Sequence, residues 1–347
     1  MTNANPGLEG LVVTDTSISD VDGELGRLVI AGLDVEQLAA THTFEQAATR
    51  VLGFEVDTRA ARAAAWEIVP RLGDALDHPD GMDALRTGLA HVRAQGDDRA
   101  DALAAIGAAP VFVAAWNRKR TGQAPIAPDP LLSHAADYLR MSTGGGDAAT
   151  IKALDGYLVT VIDHAMSAST FTTRVIASTA SDMISALIGG VGALKGPLHG
   201  GAPGPVLDML DAIGTPANAE TWLLAELAAG RRIMGMGHRV YRVRDPRAAV
   251  LETVVRPLSS PNLELARAVE AAASKILRER KPDRPMAANV EFYTAVLLDA
   301  VGLPREQFAP TFAVSRVAGW SAHVLEQRRT GRLIRPSSRY VGPYASA

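Results

Sequence analysis

Lys195-Gly196-Pro197-Leu198-His199-Gly200-Gly201-Ala202-Pro203-Gly204 is the stretch around which the chain is organised. Glycine reaches backbone angles closed to other residues and proline fixes its own, so this run cannot continue a helix. It can form a tight loop that leaves backbone N–H groups and one imidazole free to face a ligand. Apolar, helix-like sequence precedes it over 184–194, and another helical pattern follows over 206–213, so the loop reads as a junction. A glycine-rich turn with an incidental histidine accounts for the same residues equally well. The rest of the chain has to decide.

At 347 residues the chain exceeds the usual single-core limit, which favours one large and one small domain. A hydrophobic fraction of 47% is ample for sizeable cores. The formal net charge is −3 and the basic residues are not blocked into one arm, which argues against nucleic acid as a partner. Of the 35 basic residues only five are lysine, a bias that suits carboxylate and phosphate recognition as well as a GC-rich genome. With no cysteine, disulfides, thiolate catalysis and cysteine–metal sites are excluded. Residues 1–6 carry no basic-then-apolar leader, and no run of about 18 apolar residues stands out to span a bilayer. The expectation is a soluble, cytoplasmic protein without a membrane partner.

Residues 11–30 form the one convincing β region. Val13, Asp15 and Ser17 alternate with Val12, Thr14 and Thr16, and Asp22-Gly23 is a strong turn signal before Leu28-Val29-Ile30, which predicts a small N-terminal hairpin. From Asp34 onward the pattern is helical. Leu132, Ala135, Tyr138 and Leu139 share a face, as do Leu265, Val269, Ala272, Ile276 and Leu277. A further stripe over 291–301 is stopped by Gly302 and Pro304. Breaks recur at 144–146, 200–205, 235–237 and 282–285. Neither Gly144-Gly145-Gly146 nor Gly235-Met236-Gly237 has the context of a phosphate or dinucleotide loop, so both read as turns.

Histidines mark the candidate chemistry. His164, His199 and His238 fall near breaks or polar clusters, while His323 lies on a helical run and reads as structural. Neutral imidazoles can donate hydrogen bonds to carbonyl oxygens and move protons near neutral pH. No His-Glu-x-x-His or similar spacing supports a metal. Arginines near breaks, Arg242, Arg244, Arg247, Arg316, Arg335 and Arg339, offer donor forks matched to carboxylates, although any one of them alone is equally a solvated surface charge. Glu291, between apolar and aromatic neighbours in Ala288-Asn289-Val290-Glu291-Phe292-Tyr293, is either a desolvated base or an ordinary helix N-terminal glutamate.

In order, and over nearly the whole chain, these segments resemble citrate synthase. The resemblance is carried by Asp22-Gly23-Glu24-Leu25-Gly26, Met82-Asp83-Ala84-Leu85-Arg86, 132–141, 169–182, 192–202, 237–247, 289–293 and Arg335-Pro336 with Tyr340-Val341-Gly342. It implies an all-α, two-domain helical fold with the small N-terminal hairpin: a large domain over 1–204, a small domain over 205–310, and a return to the large domain with a C-terminal arm over 311–347. It implies a homodimer that condenses acetyl-CoA with oxaloacetate to citrate and CoA, with acetyl-CoA as substrate and no cofactor or metal. Carried onto this sequence, His199 holds the thioester oxygen, Glu291 takes the methyl proton and His238 polarises the ketone. His164, Arg247 and Arg316 hold the oxaloacetate carboxylates, Arg335 arrives from the partner subunit, and Arg242 lies near the CoA phosphates.

Three departures stand in that pattern. Glu291 replaces aspartate, adding a methylene and about 1.5 Å of reach. Pro203-Gly204 replaces the usual asparagine and acidic residue, and Ser167 stands where asparagine is usual. The proline and glutamate together resemble a second type of bacterial citrate synthase. Two alternatives remain at this point: 2-methylcitrate synthesis from propionyl-CoA, and a weakly active regulatory paralogue that binds CoA or oxaloacetate.

Overall fold

The computed structural model describes residues 7–8, 10–200, 203–280 and 286–343. Gly201 and Ala202 of the quoted loop, the break at 282–285 and the start of the chain lie outside them. The described residues form fifteen α-helices and one three-stranded antiparallel sheet. Many helices begin where the sequence places a short polar side chain. Asp97, Ser133, Asp147, Ser167, Asp182, Asp245 and Asn289 each accept a backbone N–H of the first turn, satisfying a donor the helix itself cannot pair.

The sheet is smaller than the sequence suggests at one end and larger at the other. Strands β1 (Ser19–Asp22) and β2 (Arg27–Ile30) pair across the turn that Asp22-Gly23 announces, and β3 (Leu33–Asp34) adds a third strand on β2. Leu28 and Ile30 are fully buried while Arg27 is exposed, as one covered face requires. Residues 11–17 are not a strand, although their side chains alternate. Leu11, Val12 and Val13 are exposed, and Ser17 is drawn elsewhere: its N–H and hydroxyl both donate to Glu326, at 2.8 and 3.0 Å. Alternation alone lacks a partner edge.

Two 23-residue helices, Asp98–Arg120 and Phe308–Thr330, form the centre of the larger body and pack on each other. The first does contain an 18-residue stretch apolar enough, by length and composition, to cross a membrane, contrary to the sequence expectation. That stretch is 83% buried inside the fold, against helices Thr58–Trp66, Gly81–Leu89 and His134–Thr143, as befits a core helix. Helices Pro203–Ile213, Ala219–Ala228, Pro261–Arg280 and Val290–Ala300 pack on one another as a second group. The helix Pro246–Val255 touches both this group and Ala148–Thr160 in the first.

The opening loop is a junction, as expected. The helix Met183–Leu194 ends, residues 195–200 turn, and Pro203 begins the next helix. Proline at a first helical position removes an N–H that would have no intrahelical partner. The predicted stripes over 265–277 and 291–301 fall on buried helix faces, whereas Leu132 precedes its helix and is only half-buried.

Gly319 locks the long C-terminal helix against the segment that bears the first candidate histidine. A side chain there would stand 2.3 Å from the Ile162 carbonyl oxygen and 2.7 Å from the Asp163 carboxylate. Gly319→Ala therefore destabilises the fold by about 1–3 kcal/mol despite alanine's better helix propensity, measurable by chemical denaturation. An increase in stability would show that the helix can slide away freely.

Candidate active site

His199 sits in the turn after the Met183–Leu194 helix, its backbone N–H donating to the Gly196 carbonyl at 2.9 Å. Its Nε2 lies 2.8 Å from the Ser169 hydroxyl and accepts the Ser169 backbone N–H at 3.3 Å. The buried Trp320 Nε1 donates to the same hydroxyl at 3.2 Å, so the hydroxyl accepts from the indole and gives its own proton to His199. With Nε2 serving as acceptor, Nδ1 carries the ring proton. Ser167, the N-cap of the helix Ala168–Ser178, accepts the Thr170 N–H at 3.3 Å and meets the Ser169 hydroxyl at 3.2 Å. That is the local role of the serine at 167.

His238 has the opposite tautomer for the same reason. Its Nδ1 accepts the backbone N–H groups of Val240 at 3.0 Å and Tyr241 at 3.2 Å, which leaves the proton on Nε2. Burial pushes both rings down to about 4, with Arg316 adding repulsion at His199 and Arg247 at His238. Each is therefore a neutral imidazole near pH 7 with one N–H to offer. His164 is buried beside them, 5.5 Å from the His238 ring, with its Nε2 3.1 Å from the Tyr241 hydroxyl. Burial, then Arg247, holds it well below its ordinary value.

Glu291 lies in the first turn of the helix Val290–Ala300, behind Asn289, whose side chain accepts the Glu291 N–H at 3.0 Å. A helix N-terminus favours a carboxylate, but here desolvation outweighs it. Burial pushes the carboxyl up to about 7 against the opposing pull of Arg247 and Arg316, with Asp245 adding a further push upward. Its Oε2 is buried without a hydrogen-bond partner among the described residues. Of the two readings open in the sequence, burial and the unpartnered Oε2 describe a desolvated carboxyl and not a solvated helix-end glutamate.

Backbone bonds pin the His238 loop to this helix. Gly237 N–H donates to the Ala287 carbonyl at 2.7 Å, Asn289 N–H to the Gly235 carbonyl at 2.9 Å, and the Asn289 side-chain amide to the Gly237 carbonyl at 2.8 Å. Gly235 and Gly237 both have positive φ, 71° and 85°, and a Cβ on Gly235 would come within 2.9 Å of Phe292. Gly235-Met236-Gly237 is thus a close-packed turn. Asp245 caps the next helix, pairs with the buried Arg247 guanidinium at 2.8 Å and accepts the Val290 N–H at 3.2 Å.

Arg316, on the long C-terminal helix, donates from Nε to the Val161 carbonyl at 2.7 Å and lies over the Phe312 ring at 4.6 Å. Its Nη2 is buried and has no partner among the described residues. Burial lowers it to about 10, which still leaves a cation at neutral pH. Two buried guanidiniums, three neutral imidazoles and one carboxyl that ionises near 7 therefore share one electrostatic environment. Such a group can bind a small polyanion, polarise two carbonyl oxygens and take a proton from carbon.

The remaining candidates lie apart. Arg242 is exposed, 3.9 Å from Glu24, and Arg335 and Arg339 are exposed on the C-terminal arm. Arg244 is engaged by Glu270 and Glu252 and stacks on Tyr293. His323 is buried between Arg174 and Asp163, in keeping with a structural role. Sequence reasoning missed Ser169, Trp320, Tyr241 and Asp245 as site residues. Ser169 and Tyr241 stand inside motifs already noticed, but their hydrogen bonds reach across 30 and 77 residues of chain. Among the described residues, no group of three potential ligands is arranged to hold a metal ion.

Comparison with known proteins names one family of enzymes. A family model described as the citrate synthase C-terminal domain matches residues 7–337. The chain is 34% identical to a citrate synthase of Deinococcus radiodurans, covering 99% of this chain and 97% of that protein. It is 35% identical to a 2-methylcitrate synthase of Mycobacterium tuberculosis, covering 97% and 90%. The citrate synthase of Thermoplasma acidophilum, solved as a ternary complex with carboxymethyl coenzyme A and oxaloacetate, superposes with a TM-score of 0.90 at 27% identity over 100% of this chain and 98% of that one.

The tautomers are open to direct measurement. Nitrogen-15 shifts at pH 7 are expected to show Nε2 of His199 and Nδ1 of His238 unprotonated, with neither ring gaining a second proton above about pH 5. A doubly protonated ring at neutral pH would contradict the assignment.

Proposed function

The chain belongs to the citrate synthase family, and we propose how its residues divide the work of that family's reaction. The enzyme is an acyltransferase of the citrate synthase type, condensing acetyl-CoA with oxaloacetate to citrate and free CoA. The observation that carries the residue assignment is the pair of oppositely locked neutral imidazoles flanking a carboxyl raised to about 7.

The methyl protons of a thioester are very weakly acidic, so a carboxylate alone is a poor base for them. His199 donates its Nδ1–H to the thioester oxygen as Glu291 removes the proton, so that the charge developing on oxygen meets a fixed donor. One such donor in a water-excluded site is worth about 3–4 kcal/mol. The enol's electron pair then forms the new bond to the oxaloacetate ketone carbon, and the ketone's own π pair moves to its oxygen, where His238 Nε2–H is the proton donor. Hydrolysis of the resulting thioester releases citrate and CoA. A neutral imidazole suits both positions, since a cation would hold the ground-state carboxylates too and a charged pair would repel Arg247 and Arg316.

Oxaloacetate brings two negative charges to a site with two buried guanidiniums. Arg247 is already paired with Asp245, whereas Arg316 has an unused Nη2, so Arg316 gains most from a carboxylate. His164 completes the pocket. We assign Arg335 of the partner subunit to the same substrate in a homodimer, and Arg242 to the CoA phosphates; their exposure supports both assignments. The same reading divides the chain into a large domain (1–204 and 311–347) and a small one (205–310) that close over the substrates, and places the enzyme in the cytoplasm with no resident cofactor.

Purified protein is expected to release CoA thiol with acetyl-CoA and oxaloacetate together and almost none with either alone. Binding of both ligands without oxaloacetate-dependent release would sink the reading. Propionyl-CoA in the same assay, the thioester for 2-methylcitrate synthesis, is expected to react more slowly. Glu291→Gln is expected to lower kcat by about 10²–10⁴-fold with oxaloacetate binding retained. Because the base works only when ionised, kcat/KM for acetyl-CoA should fall about tenfold per unit on the acid side of pH 7 and level off above it. A flat profile between pH 5 and 8 would remove Glu291 from that role.

A further inference from the structure

The turn of the N-terminal hairpin, residues 23–26, rests on the segment that carries His238. The Arg242 N–H donates to the Gly23 carbonyl at 2.9 Å. A Cβ on Gly23 would stand 2.4 Å from the Val240 carbonyl oxygen and 3.0 Å from its carbonyl carbon. A Cβ on Gly26 would stand 2.5 Å from the Val243 Cγ2. Gly26 has a left-handed φ of 64°, which the turn itself demands. Gly23 does not lie in that region, so the turn would accept a side chain there. Only the approach of Val240 forbids it.

The contact matters because of what the segment does. Val240 and Tyr241 supply the two N–H groups that fix the His238 ring, and the Tyr241 hydroxyl meets His164. The Tyr241 ring packs 4.7 Å from His238 and 5.6 Å from His164. The other end of β1 holds the second histidine's segment. The Ser19 hydroxyl donates to the Asp163 carboxylate and accepts the Ala165 N–H at 2.9 Å. Ser19 and Gly23 are about 13 Å apart along an extended strand. One short, hydrogen-bonded rod therefore touches the flanks of both His164 and His238.

Building on the function proposed above, we propose that the N-terminal hairpin is a brace that sets the alignment of His238 with His164, with Gly23 as a positioning residue whose missing side chain lets the turn seat on Val240–Arg242. The brace acts through backbone contact and touches no substrate. It governs how the oxaloacetate ketone and carboxylate are presented to their donors, so its loss appears in oxaloacetate kinetics before it appears in stability.

The test uses the full chain with Gly23→Ala, Tyr241→Phe and, as a control, Leu25→Ala, whose side chain is 75% exposed on the same turn. Gly23→Ala is expected to lower kcat/KM for oxaloacetate by on the order of 100-fold, the scale of a 1 Å misplacement, with the thermal midpoint within a few degrees of the parent. Tyr241→Phe, which removes only the hydroxyl at His164, is expected to raise the oxaloacetate KM about tenfold with a smaller change in kcat. Leu25→Ala keeps parent values. Parent kinetics in folded Gly23→Ala overturn the proposal, whether or not its midpoint falls, because a glycine needed only for folding changes the amount of active enzyme and not its KM. If Gly23→Ala does not fold, Ser19→Ala decides, since it frees the other end of the brace from Asp163 and Ala165: it must bind oxaloacetate more weakly than the parent, and parent affinity overturns the proposal. Calorimetric titration with oxaloacetate reads these affinities without turnover, so an inactive parent would count against the function and leave the brace separately testable.

Discussion

Asp245 is the constraint on which the site depends. Its carboxylate caps the Pro246–Val255 helix, holds the Arg247 guanidinium and accepts the Val290 N–H, while its own N–H donates to the Ala288 carbonyl at 3.2 Å. Loop, cation and the helix bearing Glu291 are thereby referred to one buried carboxylate. Such a group survives burial only because every lone pair it offers is used, and removing it would strand Arg247 without a counter-charge. The Gly237–Ala287 and Asn289–Gly235 backbone bonds extend the same tie, and together they give Glu291 and His238 a fixed separation although they lie far apart in the chain.

Around that tie the electrostatics are set by dryness. Desolvation is the largest influence on His164, His199, His238, Glu291 and Arg316 alike, and it moves each toward its uncharged form. The consequences differ with the group. For the histidines it secures neutral rings; for Glu291 it yields a carboxyl that exchanges its proton near neutrality; Arg316 starts so high that it stays charged. One environment thus produces three kinds of reagent, sorted by their starting values. Glu291 sits in the same dry pocket, where burial sets the affinity of its carboxyl for a proton.

Much of this was legible in the sequence because it depended on local chemistry. Glycine and proline marked the junction after His199 and the turn before His238; an apolar stripe marked the helix that carries Glu291, and a helical run around His323 the one that carries Arg316. What stayed hidden depended on partners distant in the chain. Alternation over 11–17 looked like a strand because pattern does not reveal whether an edge is free to pair, and Glu326 claimed Ser17 instead. The 98–120 helix hid its apolar length among scattered polar residues. Ser169, Trp320 and Tyr241 bear no signal of their role, since a hydroxyl or an indole acquires one only when a ring nitrogen is brought to it.

Trp320 and Arg316 stand four residues apart on the same helix, and so on the same side of it. The first orients the hydroxyl that decides which nitrogen of His199 is protonated; the second presents the least compensated positive charge. Gly319, between them, seats the helix directly on the backbone beside His164. The guanidinium with an unused Nη2 and the support of the His199 ring are therefore mounted on a single shaft. A shift or rotation of that helix cannot disturb one without the other.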